Sequence, residues 1–191
     1  MHEGERVLAE LLDGNRRFRE ARSSHSQYSS ACLAGLASEQ SPIAAVVTCS
    51  DSRVAPEILF DQPLGRLFVS RVPGNVASDS AKWMVEIAVG LYNVPLLLVM
   101  GHTGCLAVGE VVQGKTTGTG GSLRLRVSSA VMRASRSAPA DLWREAVIQN
   151  VHQTIEHLSM ESQALRPALR ADRIVPVPML YEMETGEVIR L

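Results

Sequence analysis

The chain has 191 residues, a formal net charge of −1 and 46% hydrophobic residues, which is enough for one domain with a full apolar core and too little for two ordinary ones. A pI near 6.5 excludes the basic surplus that nucleic-acid or anionic-membrane binding draws on. The longest strongly apolar run, residues 94–100, is far below the roughly 20 residues that cross a bilayer, and no apolar leader opens the sequence, so a soluble, cytoplasmic protein is expected.

Residues 5–22 set Val7, Leu8, Leu11, Leu12 and Phe18 along one side of a helical wheel, with arginines and acids opposite, and predict an amphipathic helix. A serine-rich stretch, 23–30, reads as a loop, and the residues up to Gln40 as a further short helix. The run Ile43-Ala44-Ala45-Val46-Val47-Thr48 is short and continuously apolar, as in a strand buried on both faces of a parallel sheet, and it ends at Cys49. Residues 67–70 form a second strand, followed by a turn at Pro73-Gly74-Asn75. Ser78 or Asp79 caps a helix carrying Trp83, Met84, Ile87 and Leu91.

A third strand, 95–100, ends at Gly101-His102. Residues 114–121 are glycine-rich and read as a loop, and 141–160 as an amphipathic helix through Leu142, Ile148, Val151, Ile155 and Leu158. Residues 175–179 carry prolines at alternate positions, so the missing donors fall on one side; that pattern predicts an edge strand, with a turn after it at Thr185-Gly186. Strands alternating with helices imply crossovers and an α/β fold with a mostly parallel central sheet flanked by helices. The chain is expected to be one domain, 1–191, made of a helical arm (1–40), a core bearing the site (41–113) and a C-terminal helical region with its edge strand (122–191).

Two clusters carry chemistry: Cys49-Ser-Asp51-Ser-Arg53 directly after one buried strand, and His102-Thr-Gly-Cys105 directly after another. In open α/β sheets ligands bind in the crevice beyond the carboxyl ends of the strands. A lone cysteine is usually a small buried hydrophobe and a lone histidine after a strand usually satisfies a loop. Two strand ends that together offer two thiolates and an imidazole instead read as a zinc site, with three protein ligands leaving the fourth position open, as catalytic zinc requires. Cys32 has no such company and is read as structural. Asp51 and Arg53, two residues apart, can lie on one side of a turn and pair. Such a pair is either a structural ion pair or a carboxylate held ionised to accept the hydrogen of a metal-bound hydroxide.

Cys-x-Asp-x-Arg followed about fifty residues later by His-x-x-Cys resembles the β-carbonic anhydrases. The resemblance extends to Gly14-Asn15-Arg16-Arg17-Phe18, to Arg71 with Gly74-Asn75, and to the closing segment 181–188. It implies reversible hydration of carbon dioxide to bicarbonate and a proton by zinc-bound hydroxide. Cys49, His102 and Cys105 would bind Zn2+, and Asp51 with Arg53 would form the catalytic dyad. It also implies a homodimer or homotetramer in which the first helix packs across an oligomer interface. Gln40 stands where the plant-like branch keeps a substrate-orienting glutamine, Phe68 matches an apolar wall residue, and Ile87 replaces a pocket tyrosine. Val72-Pro73 and Leu106 also depart from the family's pattern and bear on rate and substrate. In relatives closed by bicarbonate at acid pH, a tryptophan stands three residues before the first zinc cysteine; here that position is Val46.

Two rival readings stay open. The same zinc site could hydrolyse another small linear electrophile, such as carbon disulfide. Residues 109–116, Gly-Glu-Val-Val-Gln-Gly-Lys-Thr, satisfy the Walker A pattern. The strand before them has already ended near Met100 and no helix start follows, so the match reads as incidental, at a helix end.

Overall fold

The structure, a computed structural model, describes residues 2–24, 29–115 and 121–191. Its sheet contains β1 (Ala44–Thr48), β2 (Leu67–Arg71), β3 (Leu96–His102), β4 (Val175–Glu182) and β5 (Glu187–Arg190), in the order β2-β1-β3-β4-β5. The first four strands are parallel, and β5 returns antiparallel to β4. Every residue of β1 and β3 is buried. Ala44, Val46, Leu96, Leu98 and Met100 face one layer of helices, and Ala45, Val47, Leu97 and Val99 face the other. Both faces being covered is why these runs are continuously apolar instead of alternating.

On the first face lies α1 (Glu3–Arg19) with the short α3 (Pro56–Leu59). The second face is covered by α4 (Asp79–Gly90), α7 (Leu142–Glu161) and α8 (Leu165–Arg170), and α5 (Leu106–Val112) and α6 (Gly121–Ser135) pack against α7. Of the two capping candidates for α4 the structure uses Ser78, whose hydroxyl accepts the Ala81 N–H. Asp141 caps α7 in the same way through the Arg144 N–H. Helix α2 (Ser30–Ser38) lies on the surface and buries none of its residues. The loop readings at 23–30 and 114–121 fall largely on 25–28 and 116–120, outside the described residues. Among the described residues no helix is long and apolar enough to cross a membrane.

One expectation needs restating. Residues 175–178 lie at an edge on one side, but β4 as a whole is internal: it pairs with β3 along its length and with β5 from Met179 to Glu182, so β5 is the outermost strand. Pro176 and Pro178 precede the stretch that β5 covers, and the Val175 N–H points to the Pro95 carbonyl on the β3 side. Alternation along the strand therefore turns the two prolines' donorless nitrogens to the side that β5 leaves unpaired. Helix α1 buries Val7, Leu8 and Leu11 within this chain.

Candidate metal centre

β1 and β3 are neighbours in register, with Thr48 opposite Met100, so the residues that leave their carboxyl ends emerge side by side. Cys49 is the first residue after β1, and His102 is the last of β3. The chain then reverses through Gly104, whose φ of 67° is a left-handed conformation that glycine adopts without steric cost. This turn brings Cys105 back as the N-cap residue of α5. The three ligand atoms lie within 4.8 Å of one another, and all three residues are buried.

The donor set fits zinc. The sulfurs of Cys49 and Cys105 are 3.8 Å apart, and a tetrahedral zinc with bonds of about 2.3 Å to each thiolate would separate them by about 3.8 Å. Nδ1 of His102 lies 3.0 Å from the Thr103 carbonyl, which fixes the tautomer with its proton on Nδ1. That leaves Nε2 buried with no hydrogen-bond partner, a costly arrangement for an acceptor unless a metal takes the lone pair.

The two thiols are in contact, and either can donate to the other. Contact with Cys105 draws the Cys49 thiol down, against the effect of burial. The same contact with Cys49, and burial, push the Cys105 thiol up, against N–H groups of Val108 and Ala107 at the start of α5.

Beside the cluster, Asp51 and Arg53 form a two-point pair, Nε to Oδ1 at 2.9 Å and Nη2 to Oδ2 at 2.8 Å, and the Arg53 backbone N–H adds a third donor at 3.0 Å. These hydrogen bonds from Arg53 hold the Asp51 carboxyl well below the usual carboxylate range. Arg71, at the end of β2, donates to the backbone carbonyls of Cys49 and Asp51 and so clasps the loop that carries both groups. A cavity of about 440 Å3 opens on Cys49, Ser50 and Asp51, walled by Pro73, Leu106 and Val127 among others.

Gln40, Phe68 and Ile87 are not among that cavity's lining residues. Gln40 donates to the Tyr92 hydroxyl at 2.9 Å, and Tyr92 packs on Phe68 with ring centroids 5.1 Å apart. Ile87 lies half-buried on α4. Cys32 is exposed on α2, away from the other two thiols. The Walker-like segment begins inside α5, with Gly109 to Val112 helical and Thr116 outside the described residues. Gly109 has a packing role, since a Cβ there would meet the Trp143 ring at 2.4 Å.

Trp143 itself went unnoticed in the sequence. Its indole N–H donates to the Cys105 carbonyl at 3.0 Å. So did Thr103, which orients His102 through its carbonyl and accepts the Met183 N–H on its hydroxyl at 3.0 Å. The backbone groups leave no mark in residue identity, and Trp143 sits at a helix start where an aromatic residue reads as core.

A family model described as carbonic anhydrase matches residues 44–188, from β1 into β5. The chain is 35% identical over 184 residues to carbonic anhydrase 2 of Mycobacterium tuberculosis, covering 94% of this chain and 88% of that protein. It is 36% identical over 183 residues to the carbonic anhydrase of Mycolicibacterium smegmatis, covering 93% and 88%. Among solved structures, one of two tetrameric β-carbonic anhydrases from Sordaria macrospora superposes with a TM-score of 0.76 over 83% of this chain and 85% of that one, at 21% identity. At that identity the likeness speaks to the fold.

Proposed function

This chain belongs to the β-carbonic anhydrase family, and we propose that it hydrates carbon dioxide reversibly to bicarbonate and a proton at a zinc ion held by Cys49, His102 and Cys105. The observation that carries the reading is the orphaned, buried Nε2 of His102 beside two sulfurs at tetrahedral spacing. Zinc bound there supplies a Lewis acid that lets water act as hydroxide near neutral pH. Asp51, ionised and fixed from one side by Arg53, retains acceptor capacity on both oxygens. A carboxylate in that state only accepts, so it holds the hydrogen of a neighbouring hydroxyl and turns the lone pair towards the carbon of a linear substrate. Arg53, with its side chain 60% exposed, keeps Asp51 charged and aimed. The apolar walls at Pro73, Leu106 and Val127 suit a nonpolar gas better than a hydrated ion.

The proposal extends to a cytoplasmic homodimer or homotetramer acting through one domain. Gln40 and Phe68, joined through Tyr92, and Ile87 take a substrate role only if they serve the site of a neighbouring subunit, because they stand off the cavity of their own. The exposed apolar helix α2 and the tetrameric relatives support that arrangement. Stopped-flow hydration of carbon dioxide by protein of measured zinc content is the test, with carbon disulfide hydrolysis run in parallel. About one zinc per chain and fast hydration are expected. A metal-loaded protein that leaves carbon dioxide untouched and consumes carbon disulfide would transfer the reading to the rival substrate.

A further inference from the structure

The turn from His102 to Cys105 supplies two of the three metal ligands, and its middle is unsupported: among the described residues nothing lies within 4 Å of where a Gly104 Cβ would be. Its shape is fixed from the two ends. At the first, the Thr103 N–H donates to the Tyr181 carbonyl at 3.0 Å and the Thr103 hydroxyl accepts the Met183 N–H at 3.0 Å, so the pairing of β3 with β4 runs on past His102 through a side chain. The carbonyl of the same residue takes the His102 Nδ1 proton. At the second end, the Cys105 carbonyl accepts two donors, the Gly109 N–H at 2.9 Å within α5 and the Trp143 indole N–H at 3.0 Å from the start of α7. The indole sits against Gly109, where a Cβ would stand 2.4 Å from the ring.

The two holds brace each other. Arg144, which follows Trp143, donates to the Glu182 carboxylate at 2.5 Å, and Glu182 stands between Tyr181 and Met183. With the Arg144 side chain 40% exposed, that ion pair contributes little by itself, so the weight falls on the groups whose bonds end on the turn. We propose that Thr103, through its hydroxyl, and Trp143, through its indole N–H, are positioning residues that keep the 102–105 turn in metal-binding shape, so that ordering it is not left to the metal. A loosened turn has to be ordered when metal binds, which weakens binding, and groups that orient ligands from outside the ligand shell commonly alter metal affinity by about 10- to 100-fold.

This inference rests on zinc being held by Cys49, His102 and Cys105, and the test separates the two. Wild type, Thr103→Val, Thr103→Ser, Trp143→Phe and Asn15→Ala are purified and stripped of metal, and circular dichroism establishes which are folded. Zinc dissociation constants follow from chelator competition, zinc release is timed after loaded protein meets excess chelator, and the ligand-field bands of the cobalt(II) forms are recorded. Thr103→Val keeps the shape of the side chain and loses the acceptor, which Thr103→Ser restores. Trp143→Phe keeps an aromatic ring and loses the donor. Asn15→Ala breaks hydrogen bonds to Leu59, Gly186 and Val188, away from the turn, and measures a merely structural loss. Thr103→Val and Trp143→Phe should bind zinc about tenfold more weakly, release it about tenfold faster and shift the cobalt bands, while Thr103→Ser should stay within about twofold of wild type. Asn15→Ala should keep the wild-type zinc affinity, release and cobalt bands. If either weakened variant does not fold, Thr103→Ala, or Gly109→Ala to displace the indole, is measured in its place with the same expectation. Wild-type zinc affinity and release in the Thr103 or the Trp143 variant would overturn the positioning role, as would a Thr103→Ser that behaves like Thr103→Val or an equal loss in Asn15→Ala; the zinc site would stand in each case. A wild type that binds neither zinc nor cobalt would remove both.

Discussion

Three cysteines of one chemical type have two different fates here, and position alone separates them. Cys49 and Cys105 are buried with their sulfurs in contact, whereas Cys32 is exposed on α2. Alanine at Cys49, His102 or Cys105 should each abolish tight zinc binding, while Cys32→Ser should retain it in full, as read by elemental analysis after dialysis; zinc loss in the serine variant would break the ligand assignment. Asp51→Asn should keep zinc and lose about a hundredfold or more of the hydration rate, because an amide can donate where the carboxylate only accepts. The sign of the Asp51 shift fixes its pH behaviour. With the folded value depressed by Arg53, its pairing is fully present above the ordinary carboxylate range and is lost only as pH falls through the lowered value. Activity between mildly acidic and alkaline pH therefore reports the nucleophile and not this carboxylate. Val46, fully buried between Val69 and Leu98 of the neighbouring strands, has no polar group to recognise bicarbonate. Inhibition by bicarbonate should be hyperbolic, and an X-ray absorption spectrum at mildly acidic pH should show no Asp51 oxygen on the metal; a sigmoidal profile would contradict this.

At the scale of elements, the segment Gly14-Asn15-Arg16-Arg17-Phe18 works as a clamp. A Cβ on Gly14 would fall 1.8 Å from the Phe60 carbonyl oxygen, so glycine is what lets α1 meet the end of α3. Asn15, buried, donates to the Leu59 and Gly186 carbonyls and accepts the Val188 N–H, all within 3.0 Å. Arg17 pairs with the buried carboxylate of Asp61 at 2.6 Å. Asn15→Ala should cost about 3 kcal/mol, since it strands three backbone groups away from water; a urea-denaturation loss under about 1 kcal/mol would show that these groups find other partners. Helix α5 holds a comparable constraint. Gly109→Ala should lower stability by about 1–3 kcal/mol by displacing Trp143, whereas Gly35→Ala in α2, with nothing within 4 Å, should raise it by about 0.5–1 kcal/mol. Differential scanning calorimetry distinguishes the two signs. The Walker-like match yields to this packing reading, and Lys115→Ala should leave carbon dioxide hydration unchanged.

For the whole molecule, metal, protons and stability are coupled. Zinc requires both thiolates, and the second proton is held tightly by the Cys49–Cys105 contact, so apparent zinc affinity should weaken steeply as pH falls and loading should release protons. Zinc-loaded protein should melt at higher temperature than stripped protein at neutral pH, with the gap closing on acidification; a gap independent of pH would place the metal elsewhere. The sequence by itself determined the buried strands, because a parallel sheet covered on both faces demands unbroken apolar runs. It also determined the two clusters at their carboxyl ends, because chemistry in such sheets gathers there and because thiols, imidazole, carboxylate and guanidinium announce themselves by residue type. That β5 covers the second half of β4 and leaves its proline-bearing half at the edge was a matter of tertiary structure, since it depends on where the chain turns back. It alone also revealed the groups that hold the ligand-bearing segments: the Thr103 carbonyl on His102, and Trp143 on the Cys105 carbonyl. These act through backbone atoms, which every residue carries, or through side chains whose burial and partners are set by helices distant in sequence, so identity and spacing hold no trace of them.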